Sequence, residues 1–396
     1  MPAQPRAPTG SRREWRLAPF ATTIFAEMTA LAAATGSVNL GQGFPDTDGP
    51  AEIAEAAVAA IRAGENQYPP GPGIPALLHG VAAHQRACYG LEYDPDAEVL
   101  VTTGATEGIA AALIGLCERG DEVVMFEPFY DSYPAAATMA GAVVRTVRLH
   151  PPDWEWDPAE LEAALSPRTR ALLLNSPHNP TGKVFSPAEL AAVAGACVER
   201  DLVAVTDEVY EHLVYEGRHR PLAALEGMRD RTVVISSAGK TFSFTGWKIG
   251  WACGPAPLVA RVRAAKQFLT FATGTPFQHA VAAGLAAGDR LIEPLRASLH
   301  ARRDLFCDGL DALGLPVIRP AATYFAITDV TSVGEGDAVE FCRSLPARCG
   351  LVAVPTSAFY LDPAGGRSLV RWAFCKRVEV LEEALARLEA VGRAGS

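Results

Sequence analysis

The sequence predicts an α/β protein: a mostly parallel sheet covered by helices on both faces, followed by a smaller α/β unit. Three observations carry this. Short apolar runs bounded by turn residues recur along the chain, alanine-rich segments with helical spacing separate several of them, and the pattern changes after about Ala286.

The apolar runs are 99–103, 122–126, 143–148, 171–174, 202–206 and 232–236, with helical segments such as 108–119 and 187–200 between them. A run that is apolar throughout, rather than alternating, reads as a strand buried on both faces. In such sheets ligands bind beyond the carboxyl ends of the strands. Five of those ends carry residues suited to one shared site: 104–106, 127–129, 175–179, 207–210 and 237–240.

Beyond residue 286, a charged helical stretch at 289–313 leads to strand-like segments at 323–328 and 351–354 and an amphipathic helix at 378–391. The chain has 396 residues, more than the roughly 250–300 at which single cores stop growing, so two units are expected. We assign 1–13 to a flexible lead-in, 49–285 to a large ligand-binding domain, and 14–48 with 286–396 to a discontinuous small domain.

Composition narrows the function. The net charge is −10, with no Lys/Arg-dense run and no basic patch interleaved with aromatics, which argues against nucleic acid as a partner. No apolar run approaches the ~20 residues that span a bilayer, and residues 1–13 lack the apolar core of a secretory signal. The eight cysteines are scattered singly, with no CxxC pair, and read as buried thiols of a reducing, cytoplasmic compartment rather than as disulfides or metal ligands.

The stretch "SSAGKTFSFTGWKIGW" (236–251) places Lys240 in a strand-end turn too apolar to be a solvated face. A desolvated lysine near another cation has a lowered pKa and can form a Schiff base with an aldehyde. Eight residues on, Lys248 with the Ser237 hydroxyl and the helix start Gly104-Ala105-Thr106-Glu107 would cup a phosphate. Aldehyde and phosphate together point to pyridoxal 5′-phosphate. That cofactor requires a carboxylate facing its ring nitrogen, and Asp207 after "LVAVT" supplies one. Tyr210 and Asn179, the latter in "NSPHNPTG", can donate to its phenolic oxygen, and Phe129 in "EPFYDSY" can stack on the ring. His178 reads as a satisfied loop histidine. Gly41-Gln42-Gly43 lacks the full glycine pattern of a dinucleotide loop.

From about Phe20 to the C-terminus, these residues in this order resemble the class I/II aminotransferases, the pyridoxal-phosphate enzymes of fold type I. The motifs "TTIFAEM", "NLGQGFPDTDGP", "NQYPPGPG", "LNSPHNPTG" and "TGWKIGWACGP" are similar to the branch holding kynurenine/glutamine, methionine and actinobacterial N-succinyldiaminopimelate aminotransferases. The resemblance implies a seven-stranded central sheet, with Lys240 as the Schiff-base lysine and Asp207 as the ring-nitrogen partner. It implies Asn179 and Tyr210 at the phenolic oxygen, Phe129 as the stacking ring, and Ala105, Thr106, Ser237 and Lys248 at the phosphate. Tyr68 is implied to reach the phosphate of a neighbouring subunit, hence a homodimer. Arg371, in "LVRWAFCK", and the Gly43 backbone are implied to hold the substrate carboxylate, with Asn179 assisting. The stretch "FLTFATGTPF" (268–277) falls where the family places pocket and intersubunit residues, and Phe20, Phe25, Phe271 and Tyr360 are candidates for the side-chain pocket.

The expected activity is transamination between an L-amino acid and a 2-oxo acid, with N-succinyl-LL-diaminopimelate, methionine, glutamine, kynurenine or aromatic amino acids as candidate substrates. The same residues would serve a cysteine-conjugate β-lyase or an elimination/replacement enzyme of secondary metabolism. A cofactor-sensing regulator of this fold would need a DNA-binding module, for which the roughly 20 residues before the resemblance begins give no room.

Overall fold

The computed structural model describes residues 15–392; the lead-in expected at 1–13 lies outside the described residues. A short strand β1 (Val38–Asn39) precedes the central sheet. That sheet is built from β2 (Val99–Thr102), β3 (Glu122–Glu127), β4 (Val143–Arg148), β5 (Thr169–Asn175), β6 (Val203–Asp207), β7 (Thr232–Ser237) and β8 (Gly250–Cys253). Its order is β2-β8-β7-β6-β5-β3-β4, parallel except for β8, which runs antiparallel to both neighbours. The six apolar runs account for six of these strands. The seventh, β8, is four residues long and returns antiparallel to β7 after only the short helix Ala238–Thr241 and one further helical turn, with no long crossover helix to announce it.

β2, β3, β6, β7 and β8 are buried at every position, as expected of strands covered on both faces. On one face, Ile109, Leu113 and Leu116 of the helix Gly104–Leu116 pack with Val259 and Val262 of the helix Ala256–Lys266 against Leu100, Val205 and Ile235. The other face is covered partly by Leu190 and Val193 of the helix Pro187–Glu199. That helix opens with a complete capping box, Ser186 with Glu189, and with Pro187 in its first turn. β4 is one of the two edge strands; its exposed Arg145 pairs with the buried Glu122 at 2.9 Å.

The later segments form an antiparallel sheet of order β12-β13-β10-β9, from β9 (Val317–Ile318), β10 (Phe325–Asp329), β12 (Val354–Pro355) and β13 (Leu369–Ala373), while β11 (Leu351–Val352) pairs in parallel with β1. The helix Ile24–Thr35 buries Met28 and Ala32 in the core of this unit, beside Phe306, Phe341 and Trp372. Val209, Tyr210 and Leu213, just after β6, enter the same core and so join it to the central sheet.

Registry places the chemistry. Asn175 pairs with Asp207, and Ser237 and Thr102 both pair with Gly250, so the ends of β2, β5, β6 and β7 open together. Gly250 lets β8 pass beneath the turn after β2: an added Cβ would lie 2.7 Å from the Gly104 carbonyl carbon and 2.9 Å from the Ala105 nitrogen. Both contacts are backbone, so the turn itself would have to move. Gly250→Ala is therefore expected to destabilise the protein by about 1–3 kcal/mol, as overpacking does. A urea midpoint equal to that of the unaltered protein would show that the turn has room.

Candidate functional site

The strand ends open onto a cavity of about 200 Å³ whose wall includes Gly43, Ala105, Thr106, Asn179, Asp207, Tyr210, Ser237, Lys240, Lys248 and Arg371. Ten of the twelve residues singled out from the sequence thus meet at one place.

Lys240 sits on the short helix Ala238–Thr241 directly after β7. Its Nζ donates to the Tyr324 hydroxyl at 2.6 Å and to the Gly43 carbonyl at 3.3 Å, while Tyr324 donates to the same carbonyl at 2.6 Å. Desolvation lowers the amine's pKa to about 8, and the nearby Lys248 and Arg371 charges push the same way against the opposing pull of Asp207. A substantial neutral fraction near pH 8 gives the amine the lone pair that nucleophilic attack or proton abstraction requires.

Asp207 ends β6 and is 4% exposed. Tyr133 donates to its Oδ2 at 2.7 Å and the Val209 N–H to its Oδ1 at 3.3 Å. Asn175 secures the backbone here: its Nδ2 donates to the Asp207 carbonyl at 2.8 Å, and its Oδ1 accepts from the Asn179 N–H at 2.7 Å. Burial raises the carboxyl to about pKa 6, with the Tyr133 and Val209 bonds and the Lys240 charge opposing. Because this lies above the ordinary 3.8, the carboxyl favours folding at low pH and loses that contribution as pH rises through about 6. Above that, the buried anion is best satisfied by a cationic partner at the cavity wall.

Arg371 lies mid-strand in β13, paired with Ile327 and Val354, and is 1% exposed. Its Nη2 donates to the Gly41 carbonyl at 2.8 Å and its Nη1 to Asn179 Oδ1 at 3.1 Å, while its Nε is buried without a hydrogen-bond partner. The guanidinium lies 4.0 Å from the Phe325 ring centroid and 5.0 Å from that of Phe25. Burial lowers its pKa to about 10, which leaves it cationic at neutral pH. A buried, charged fork with an unsatisfied donor and, among the described residues, no carboxylate paired with it is suited to a ligand's carboxylate.

The end of the cavity at Lys248 is equally compact. Gly104 adopts φ +72° at the start of its helix, and a Cβ there would come within 3.0 Å of Lys248 Nζ. The ammonium therefore lies against the helix start, where the first N–H groups have no intrahelical acceptor. A half-neutral lysine, a buried carboxylate and this cationic cup fit pyridoxal 5′-phosphate.

Two expected residues fall elsewhere. Phe129 is not on the cavity wall: its N–H is tied to the Phe359 carbonyl at 2.8 Å, and its side chain packs in the core beneath. Tyr130, the next residue, lines the cavity in its place. Tyr68 is 86% exposed and points away from this chain's cavity, edge-on to Phe271 at 5.5 Å. Of the four aromatic pocket candidates, Phe25 alone lines the cavity, where Gln42, Tyr130 and Phe325 join it. Within 268–277, Phe268 and Phe271 are exposed, while Phe277 stacks on Trp247. His178 is buried and bonded to the Thr181 hydroxyl at 2.8 Å.

Sequence reasoning missed Tyr133 and Tyr324, although each touches a principal group of the site. Tyr133 was within reach: it sits in the quoted "EPFYDSY", the second residue of the helix Ser132–Ala140 that follows β3. Tyr324 lies beside β10 in the smaller unit, and no local pattern ties it to a lysine 84 residues away.

The class I and II aminotransferase profile matches residues 35–388. A probable N-succinyldiaminopimelate aminotransferase of Mycobacterium tuberculosis is 54% identical over 94% of this chain and 97% of its own length. The methionine aminotransferase of Escherichia coli is 39% identical over 94% of this chain and 97% of its own. The solved structure of N-succinyldiaminopimelate aminotransferase from Mycobacterium tuberculosis superposes with a TM-score of 0.93 at 53% identity, covering 95% of this chain and 99% of that one. The chain belongs to the class I and II aminotransferases, pyridoxal-phosphate enzymes of fold type I.

Proposed function

We propose that this aminotransferase acts on an L-amino acid and a 2-oxo acid whose carboxylates are gripped by Arg371, with Lys240 as the covalent anchor of the cofactor and the carrier of the substrate's proton. The observation that carries this reading is the pairing in one cavity of a desolvated lysine with a buried arginine whose Nε lacks a partner.

When bound, pyridoxal phosphate supplies an aldehyde for the amine and a cationic ring that delocalises the electron pair left by the departing α-proton. Asp207 holds the ring nitrogen protonated, since the buried carboxylate is stabilised by the cation it faces. Tyr210 and Asn179 donate to the phenolic oxygen; burial pushes the Tyr210 hydroxyl up, so it stays a donor. Ala105, Thr106, Ser237 and Lys248 hold the phosphate. Arg371, Asn179 and the Gly43 backbone orient the substrate. Lys240 Nζ then takes the α-proton: with its two N–H groups donated to Tyr324 and Gly43, its lone pair is free to accept.

The same reading includes a homodimer and a cytoplasmic setting. Tyr68 reaches across to a second copy's phosphate, and the exposed Tyr68, Phe268, Leu269 and Phe271 are apolar surface for that copy to cover. The setting is supported by eight free cysteines, six of them buried.

For the amine donor we propose N-succinyl-LL-diaminopimelate, on the 54% identity to the mycobacterial relative. A second reading, a donor with a neutral side chain such as methionine or an aromatic amino acid, is favoured by Phe25, Gln42, Tyr130 and Phe325 at the cavity wall, where the three cations are Lys240, Lys248 and Arg371.

Two measurements follow. Mixing the holoenzyme with single donors and reading the cofactor's visible absorbance should give the largest change with the succinylated donor. Turnover confined to methionine or aromatic donors would select the second reading, and release of pyruvate and ammonia from a cysteine conjugate would mean lyase chemistry. Replacing the fork by a point charge, Arg371→Lys, should raise KM for amino acids about 30- to 1000-fold, the equivalent of about 2–4 kcal/mol, while the cofactor stays bound. Unchanged kinetics would place the carboxylate elsewhere.

A further inference from the structure

A second cluster of titratable groups lies away from the cavity. Ser236 precedes the cavity-lining Ser237 in β7, so its side chain faces the opposite side of the sheet. There its Oγ donates to Glu211 Oε1 at 2.5 Å. His84, on the helix Pro75–Tyr89, brings its Nε2 to 2.8 Å from the Nε2 of His212. One nitrogen each from His84 and His212 and one carboxylate oxygen of Glu211 all lie within 4.8 Å of one another.

His84 and Glu211 are buried, His212 is partly buried, and the cluster is incompletely satisfied. Glu211 is 5% exposed and His84 7%. Glu211 Oε2, with the Tyr89 hydroxyl in its neighbourhood, makes no hydrogen bond of normal geometry, and His84 Nδ1 has no partner either. Burial opposes the charge on Glu211, and the His212 and His84 imidazoles favour it. Two facing imidazole nitrogens share one proton at most, so one buried anion and two lone-pair sites converge on a point served by a single hydrogen. A divalent ion satisfies all three groups at once.

The donor set selects the ion. Two imidazole nitrogens and one carboxylate oxygen suit zinc and similar borderline ions rather than magnesium or calcium, which prefer all-oxygen sets. Zinc with three protein ligands keeps a fourth position for water. Zn–N bonds of about 2.0–2.1 Å in a tetrahedral site would set the two Nε2 atoms about 3.4 Å apart, a small side-chain adjustment. Ser236 fixes the carboxylate from behind, as partners of metal ligands do. Nearby, a surface hollow is lined by Cys88, Tyr89, Arg218 and His219, and the Tyr89 ring stands edge-on to His84 at 6.1 Å.

We propose that His84, Glu211 and His212 bind one zinc-class divalent ion, which ties the helix Pro75–Tyr89 to the segment that follows Asp207. The site is structural, since it lies behind the sheet from Lys240. Cobalt(II) is the probe, added to metal-stripped holoenzyme near neutral pH and followed by dialysis. The expected result is one cobalt per chain, with the visible bands of a tetrahedral nitrogen/oxygen-ligated ion, no thiolate charge-transfer band, and a raised Tm. His84→Gln and Glu211→Gln should each lose the bands and the rise in Tm. Failure of the unaltered protein to retain cobalt would overturn the proposal, and this arm stands even if a variant does not fold. Undiminished cobalt in folded His84→Gln, or thiolate bands from cysteine binding, would overturn it equally.

Discussion

Removal of water from Lys240 is the constraint on which the site depends. In water the amine is a cation with no lone pair to offer, and neither covalent attachment nor proton abstraction can begin. The fold imposes desolvation by placing the lysine in a one-turn helix after a fully buried strand and closing the smaller unit over it through Tyr324 and Gly43. The neighbouring cations reinforce the effect. Asp207 shows the same physics with the opposite sign, a carboxyl raised by burial until a cation faces it. The lysine and the carboxyl are thus each displaced from the ordinary range by the cavity that brings them together, as functional pairs often are.

Arg371 answers a different problem. A guanidinium mid-strand in a buried sheet costs free energy unless its donors are used, and only part of the fork is used by the Gly41 carbonyl and Asn179. The Phe25 and Phe325 rings cover its faces without competing for its N–H groups. The unused donor, held in a rigid plane, is what the proposed carboxylate grip draws on. Asn179 bonds both this arginine and, through its backbone, Asn175 beside Asp207, so one loop ties the buried guanidinium to the buried carboxyl.

Much of this was legible in the sequence because buried parallel strands announce themselves as unbroken apolar runs and ligands gather at their carboxyl ends. That rule alone led to Gly104, Asn175, Asp207 and Lys240. It overlooked β8, which returns antiparallel without a long crossover helix, and halted at Phe129 one residue short of Tyr130, because a strand end does not say which of two adjacent rings turns inward. The tie of the Phe129 N–H to the Phe359 carbonyl decides that, through a residue 230 positions away. Tyr324 and the convergence of His84 with Glu211 and His212 were invisible for the same reason: they are meetings between distant segments that no local periodicity encodes. Arg371 was found through family resemblance, since a lone arginine in an apolar strand has no periodic signature.

The central claim, that burial brings Lys240 to a reactive state before any cofactor arrives, is open to direct measurement. Competitive acetylation of the cofactor-free protein across a pH series, with the Lys240 peptide followed by mass spectrometry, reports the titration of that one amine. The account predicts a midpoint near 8, well below the ordinary 10.5, so that labelling is lost as pH falls through that value and the amine gains its proton. A midpoint at 10.5, the value of a solvated lysine, would contradict it.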